Sequence, residues 1–473
     1  MNEVLVAELG AALSPDRVRI GGTELALYQR DASNLTGSAG VVCFPTSTED
    51  VQACIRIAGR HSQPFVARGA GTGLAGGATP LDDAMMIVTT KMNRVLSVDP
   101  VNRLAWVEPG VLNLDLSKAV AKYGLHFAPD PSSQQSCSIG GNVANNSGGP
   151  HCLSDGVTTA HVLGLEVVLP DGEIAHLGGE EAEPSGYDLR GAFVGSEGMC
   201  GIATKVCVRL TQNPPAVRTM LMDFGSVDDG ARTVSAIIAA GMVPAALEMM
   251  DQLCTRAVEE FIHAGLPVDA AAILLVEVAG LPHGVEADVQ RIVDIGTAHG
   301  AGSVRIAKDE AERLLLWKGR KNAFGAIARI KPNYYLHDTV VPRRHLPDVL
   351  RQVYEIVERH DLLVMNVFHA GDGNLHPLLV FDKREPGIMD RVHAAGEEIV
   401  RVSVAAGGVL SGEHGIGLEK RDFMPLMFSA IDLEAQARLR RSFDTTGLAN
   451  PNKVLPTAAS CGDMQHVPEG AWI

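Results

Sequence analysis

Arg68-Gly-Ala-Gly-Thr-Gly-Leu-Ala-Gly-Gly77 is the stretch on which the fold turns. Gly71-x-Gly73-x-x-Gly76 within it matches the dinucleotide-binding fingerprint letter for letter. That fingerprint works only when a helix opens inside the glycines, so that its N-terminal amides face a pyrophosphate. Here the turn-forming Ala78-Thr-Pro-Leu-Asp-Asp83 follows, and then Met85–Thr89 reads as another strand. The spacing therefore argues against a Rossmann unit. A glycine-rich loop that opens no helix still cradles phosphate through successive backbone N–H groups, and a plain tight turn is the alternative.

Upstream, Val41 to Pro45 reads as a strand, and Thr46-x-x-Glu49 as a capping box before Val51, Cys54, Ile55 and Ala58 at helical spacing. Pro64–Arg68 is the next strand, so the chain opens with a β-α-β unit. Downstream, strands are expected at Val95–Val98 and Leu104–Glu108, then a helix through Leu112, Leu116, Ala119 and Val120 that stops at Gly124. Ser132 to Pro150 is the longest low-bulk run in the chain, small hydroxyls, amides and glycines with one apolar residue at a time. It reads as a loop, and a long loop inside a compact domain usually carries a ligand. Val162–Leu169 and Ile174–Leu177 flank an Asp171-Gly172 hairpin, and a Gly-rich turn, Phe193–Ile202, leads into a strand Ala203–Leu210.

The whole chain sets further bounds. Its 473 residues suggest two or three domains of about 150 residues. A formal charge of −16 argues against a nucleic-acid partner and against docking on an anionic bilayer. No run of about 18 apolar residues exists, and acids stand at the N-terminus where a signal peptide carries bases, so a cytoplasmic location is expected. The eight cysteines form no C-x-x-C pair and give no iron–sulfur or zinc-finger framework.

Asn213-Pro-Pro215 marks a boundary, after which strands and helices alternate: Arg218–Phe224, a helix to Ala240, Ala245–Met250, a helix to His263, Ile273–Val278, a helix to His299 and Val304–Ile306. This order predicts an α+β layer with helices on one face. A helix from Asp309 to about Ala328, one strand over Tyr334–Val341 and a strand Met365–His369 follow. Gly-Asp-Gly-Asn374 then reads as a tight reversal that brings His369 and His376 together at a sheet end. A second Gly-rich patch, Gly407–Gly417, sets Glu413 beside His414. Three histidines and a carboxylate on two such turns suggest a divalent metal with a base beside it. Arg320 stands among Lys318 and Lys321, where a surface ion pair is as reasonable as a functional role. Asp372 reads as turn-forming, and Arg329, Tyr334, Tyr335 and His337 as candidate pocket residues.

Arg68-Gly-Ala-Gly-Thr-Gly-Leu, Pro129-Asp-Pro, Ser138-Ile-Gly-Gly-Asn-Val-Ala-Asn-Asn-Ser-Gly-Gly and Gly195-Ser-Glu-Gly, in this order, resemble the FAD-binding domain of the vanillyl-alcohol oxidase superfamily. The resemblance implies an α+β fold: a PCMH-type domain of two subdomains (1–213) with FAD between them, a cap domain with an antiparallel sheet flanked by helices (214–430), and a segment (431–473) returning to the FAD domain. It places the pyrophosphate on Gly69, Ala70, Gly71, Thr72 and Gly73, with Pro45, Arg68 and Leu74 beside them. Pro109, Gly110 and Pro131 belong to the implied cofactor-binding set as well. Cys137, Ser138, Gly140, Gly141, Asn142, Asn145, Ser147, Gly148 and Gly149 line it. Glu197, Gly198 and Ile202 close the pocket, and Asn452 joins from the Asn450–Lys453 tail. Members that attach flavin covalently carry a histidine in the loop where this chain has Arg68-Gly-Ala-Gly, so dissociable FAD is expected.

Trp317-Lys-Gly-Arg-Lys-Asn-Ala-Phe324, Asn366–His376, Ser411–Gly417 and Asn450-Pro-Asn-Lys453 resemble the FAD-linked oxidases acting on D-2-hydroxy acids, the branch that includes bacterial glycolate oxidase. That resemblance implies a divalent metal on His369, His376 and Glu413 (zinc, manganese or iron(II) by donor type), His414 as base and Arg320 gripping the substrate carboxylate. The implied reaction takes glycolate to glyoxylate or D-lactate to pyruvate, with hydride passing to flavin. Electrons would leave towards quinone through an iron–sulfur subunit, beside a second flavin-domain subunit, and any membrane association would run through those partners. Relatives acting on 2-hydroxyglutarate carry a lysine and a hydroxyl residue for the distal carboxylate; Leu336 and Phe324 stand there. The rivals are a stand-alone D-lactate or D-2-hydroxyglutarate dehydrogenase, a non-catalytic flavin carrier and a metal-dependent hydrolase.

Overall fold

In the computed structural model, which describes residues 2–181 and 185–456, the glycine-rich loop after Arg68 opens no helix, and the next element is the strand Ala84–Val88. That strand inserts between Ala39–Cys43 and Phe65–Arg68, parallel to both. The helix Thr48–Arg60 joins the outer pair and buries Val51, Cys54, Ile55 and Ala58. Its cap lies one residue later than the sequence suggests. Ser47 accepts from the Asp50 amide, and Asp50 in turn accepts from the Thr46 amide.

A second sheet is antiparallel, in the order Val95–Asp99, Leu104–Val107, Ile202–Arg209, Val162–Val168, Ile174–Gly178. The low-bulk run Ser132–Pro150 is not all loop. It contains the helix Ile139–Asn145, capped by the Ser138 hydroxyl on the Gly141 amide. Glycine lets this helix touch its neighbour: a Cβ at Gly140 would lie 2.6 Å from the Pro109 Cβ. The same glycines that disguise the helix in the sequence are what pack it.

The chain divides into two compact units: residues up to Gly148, Val157–Asn213 and from Glu413 onward in one, Gly149–Gly156 and Pro214–Gly412 in the other. The return to the first unit therefore begins at Glu413, ahead of the expected 431. Two contacts fix it there: Glu197 accepts from the Ile416 and Gly417 amides, and Ala75 O accepts from the Leu418 amide. The part of the expected 431–473 segment beyond Pro456, Cys461 included, lies outside the described residues.

The second unit is built on one antiparallel sheet. Its strands run in the order Ala301–Ile306, Ala216–Phe224, Ala272–Gly280, Ala246–Asp251, Leu363–His369, then the short pairs Asn374–Leu375 and Thr339–Val340. Pro377–Phe381 pairs with Leu363–His369 and with Asn333–Leu336. Tyr334–Val341 is thus two strands, broken at His337-Asp338, and the helix expected to reach Ala328 stops at Lys321.

One face of this sheet presents Met220, Met222, Leu247, Met249, Leu274 and Val276 to the helices Val227–Ala239, Pro282–Ala298, Leu346–Arg359 and Ile388–Ala405. Strand alternation turns Glu248 and Glu277 to the other face. The sheet is covered there too, which corrects the one-faced layer. The helix Glu310–Lys321 lays Arg313, Trp317 and Arg320, one helical stripe, over those two carboxylates.

Glu277 accepts from Thr219 Oγ1 (2.5 Å), Trp317 Nε1 (2.6 Å) and both Arg313 nitrogens (2.9 Å each), with His151 Nε2 at 3.2 Å. Burial pushes its carboxyl up, but the hydrogen bonds from His151 and Arg313 outweigh burial and bring it down from 4.5 to about 2. A carboxyl lowered in the folded state stabilises the fold above its unfolded value and loses that contribution as pH falls through the folded one. The size is about 3 kcal/mol. Glu277→Gln is expected to lower the urea midpoint at neutral pH, the gap to the wild type closing as pH drops below about 4.5. A gap that persists undiminished into strong acid would contradict this account.

Candidate active site

Histidine imidazoles ligate a metal through one nitrogen when the other is pinned by a protein acceptor. The second unit supplies two such rings. The chain reverses after His369, with Gly373 at φ 73° and His369 opposite Asn374. This brings the His369 and His376 rings to 5.1 Å between centroids, nearly perpendicular at 85°. His369 Nδ1 lies 2.8 and 3.0 Å from the Glu248 carboxylate oxygens, and His376 Nδ1 lies 3.2 Å from the His337 carbonyl. In both rings Nε2 is then the nitrogen a metal would take, and such donors fit a divalent cation of nitrogen and oxygen preference.

The strand carrying His369 is anchored three residues back, at Asn366, by Asp251. Its Oδ2 accepts from the Asn366 amide (2.7 Å) and from the Tyr354 hydroxyl (3.1 Å), while Oδ1 caps the helix at Cys254. Burial raises the Asp251 carboxyl to about 6 against those hydrogen bonds.

Arg320 is buried, at 1% exposure, which overturns the surface ion-pair reading; Lys318 beside it is exposed. Its Nη2 lies 2.6 Å from Glu248 Oε2. Among the described residues, however, none of its nitrogens makes a hydrogen bond of good geometry. A buried guanidinium with unspent donors is a costly thing to hold unless an anion completes it. Asp338 accepts from Ser411 Oγ (2.6 Å) and the Gly412 amide (3.1 Å), and a Cβ at Gly412 would strike Asn374. Gly412 therefore backs onto the His369 corner. The chemistry of a Glu in the middle of the mostly apolar strand Ala-Leu-Glu-Met-Met-Asp251 could have flagged Glu248, since such a carboxylate needs a partner. Asp338 had no comparable signal. Asp372 sits in the turn, and Arg329 lies over the Phe261 ring.

In the first unit, a hollow gathers Arg68, Gly69, Pro109, Gly140, Gly141, Gly198 and Ile202 of the expected cofactor residues. Thr89, Phe193, Ser196 and Ala203 line it too and were not foreseen. Beside it, the amides of Ala70–Leu74 donate no hydrogen bond among the described residues, leaving a row of donors suited to phosphate oxygens. Gly71 sits at φ 76° with the Arg68 guanidinium where a Cβ would be, so only glycine serves there. Glycine walls and open amides fit a dinucleotide-like cofactor.

Others of the expected residues have partners within this unit. Asn142 donates to Cys137 Sγ and accepts from Asn113, and the Ser147 amide donates to the Asn142 carbonyl. Pro45, Gly110, Pro131, Gly148 and Gly149 lie outside this hollow. Asn452 is exposed; Asn450 and Lys453 are the buried pair of the tail. Asn450 Nδ2 donates to Gly77 O and Glu197 O, and Lys453 Nζ to Thr79 O. Burial lowers Lys453 to about 8 against the pull of Glu197 and Asp31, and raises Glu197 to about 6.

The His414 turn belongs to this unit. Asn145 Nδ2 donates to the His414 carbonyl (3.3 Å), and Glu197 Oε1 accepts from the Ile416 and Gly417 amides at 2.7 and 3.1 Å. Glu413 Oε1 lies 3.7 Å from His414 Nε2.

Comparison with known proteins adds to this geometry. Residues 39–178 match the FAD binding domain, and residues 213–454 match the FAD linked oxidases, C-terminal domain. The chain is 48% identical over 432 residues to the glycolate oxidase subunit GlcD of Escherichia coli (strain K12), covering 91% of this chain and 87% of that one. It is 32% identical over 465 residues to a probable mitochondrial D-lactate dehydrogenase of Danio rerio, covering 96% and 92%. Its fold resembles p-cresol methylhydroxylase solved with substrate bound, at a TM-score of 0.81, 17% identity and 96% coverage of both chains.

Proposed function

The chain belongs to the FAD-linked oxidases, and from that premise we propose that it oxidises a short 2-hydroxy monocarboxylate, glycolate to glyoxylate or D-lactate to pyruvate. The observation that carries the reading is Arg320: a buried cation with unspent donors, one carboxylate away from a pair of pinned imidazoles. A guanidinium meets a carboxylate through two parallel hydrogen bonds, so it fixes the substrate's Cα as well as its charge.

His369, His376 and Glu413 would hold the metal. A divalent ion there supplies a Lewis acid that makes the substrate hydroxyl more acidic. His414 takes the hydroxyl proton on its ring nitrogen, at the pH where imidazole is both available and basic. FAD, when bound on the Gly69–Gly73 loop, supplies the acceptor for the hydride from Cα. Leu336 and Phe324 offer no cation or hydroxyl to a second carboxylate, and a buried unpaired carboxylate is costly. The substrate is therefore a monocarboxylate.

Electrons would pass on to a quinone through an iron–sulfur subunit, with a second flavin-domain subunit in the same complex; the E. coli relative bears the name of a subunit. Among the described residues no helix is long and apolar enough to cross a membrane, and we place the chain in the cytoplasm, reaching the inner membrane only through partners. The D-lactate dehydrogenase relative supports a stand-alone enzyme as the second reading.

Anaerobic addition of glycolate, D-lactate and D-2-hydroxyglutarate to the yellow protein tests the proposal. The first two should bleach the flavin and the third should not, and prior chelation should abolish the bleaching. Bleaching that survives complete metal removal would strike out the metal; no bleaching by any 2-hydroxy acid would strike out the reaction.

A further inference from the structure

We infer that Glu248 is a positioning residue serving both arms of this site: it sets His369 for the metal and restrains the charge of Arg320. The inference rests on the reading given under Proposed function.

Glu248 stands opposite His369 in the antiparallel pairing of Ala246–Asp251 with Leu363–His369, so the two side chains share one face at close cross-strand spacing. Both carboxylate oxygens lie within 3.0 Å of His369 Nδ1. Oε2 also lies 2.6 Å from Arg320 Nη2. Glu248 and Arg320 are each 1% exposed, so solvent screens neither contact. A carboxylate on Nδ1 fixes the tautomer and raises the basicity of Nε2, which strengthens a metal bond there. The same negative charge offsets Arg320. A substrate carboxylate arriving at the guanidinium then meets a partly neutralised cation, and a product of like charge leaves it more readily.

The two arms predict opposite signs for one substitution. In Glu248→Gln, which keeps the shape and removes the charge, affinity for Zn²⁺ or Mn²⁺ should fall about 10–100-fold. Binding of 2-hydroxyisobutyrate, a 2-hydroxy acid with no Cα hydrogen to give up, should become tighter when followed by flavin absorbance in metal-free protein. A merely structural role would loosen both together. Should the single variant fail to fold with Arg320 left unopposed, the double variant Glu248→Gln with Arg320→Met removes both charges. Its metal affinity should lie below that of Arg320→Met alone by the same factor.

Equal metal affinity in the wild type and Glu248→Gln, or weaker anion binding in the variant, would overturn the role given to Glu248 and leave the proposed reaction standing. A wild-type protein that takes up neither ion would remove the metal reading itself, and Glu248's role with it.

Discussion

Arg320→Met is expected to keep its flavin and lose about 10²–10⁴-fold in kcat/KM for glycolate or D-lactate, and Arg320→Lys to recover little of the loss. Two charge-assisted hydrogen bonds to a desolvated carboxylate are each worth about 1.5–3 kcal/mol, which spans that range. Lysine brings the charge without the planar fork, so it cannot hold Cα in a fixed direction. The burial of Arg320 makes the effect large, because no water replaces the missing donors in a site this enclosed. A control separates anchoring from collateral damage. Glycolamide has no carboxylate for the guanidinium to grip, so the wild type should handle it poorly and Arg320→Met no worse. A variant that loses as much on glycolamide as on glycolate would show that Arg320 supports the fold of the corner rather than the substrate.

The sequence carries the elements of both units well and their partnerships poorly. Alternation and caps mark most strands and helices to within a few residues, because each signal is local: Gly124 at φ 70° ends its helix, and Gly373 turns the chain between the two histidines. The helix Ile139–Asn145 is hidden because glycine, its packing requirement against Pro109, is also the residue that speaks against helix. The break at His337-Asp338 is hidden because the segment's composition is that of one strand. Arg320 is the sharper case. Its neighbours Lys318 and Lys321 make the stripe look solvated, and only Glu248 on the sheet beneath explains why it is buried. Glu248 meets His369 across 121 residues, and no spacing rule in one sequence reaches that far. Chemistry offers a substitute: Glu248 and Glu277 are carboxylates in largely apolar strands, and each proves to sit under a cation of the same helix.

His414→Ala should bind flavin and metal as the wild type does and reduce that flavin about 10²–10⁴-fold more slowly in a single turnover, with little change in substrate affinity. The argument for normal binding is that the His414 turn is held by its backbone. Asn145 donates to the carbonyl, and Glu197 accepts from the Ile416 and Gly417 amides, so truncating the side chain leaves those anchors in place. The loss should be in the chemical step because a metal-acidified hydroxyl still has to give its proton to some group, and water is a poorer acceptor than imidazole near neutral pH. Added imidazole should restore part of the rate, and the restored rate should rise with pH through the imidazole's own titration. If the variant bleaches within tenfold of the wild type, the proton leaves by another route. Glu197, raised to about 6 by its burial, would then be the next group to test by Glu197→Gln, since its Oε1 accepts two backbone amides while its Oε2 makes no hydrogen bond among the described residues.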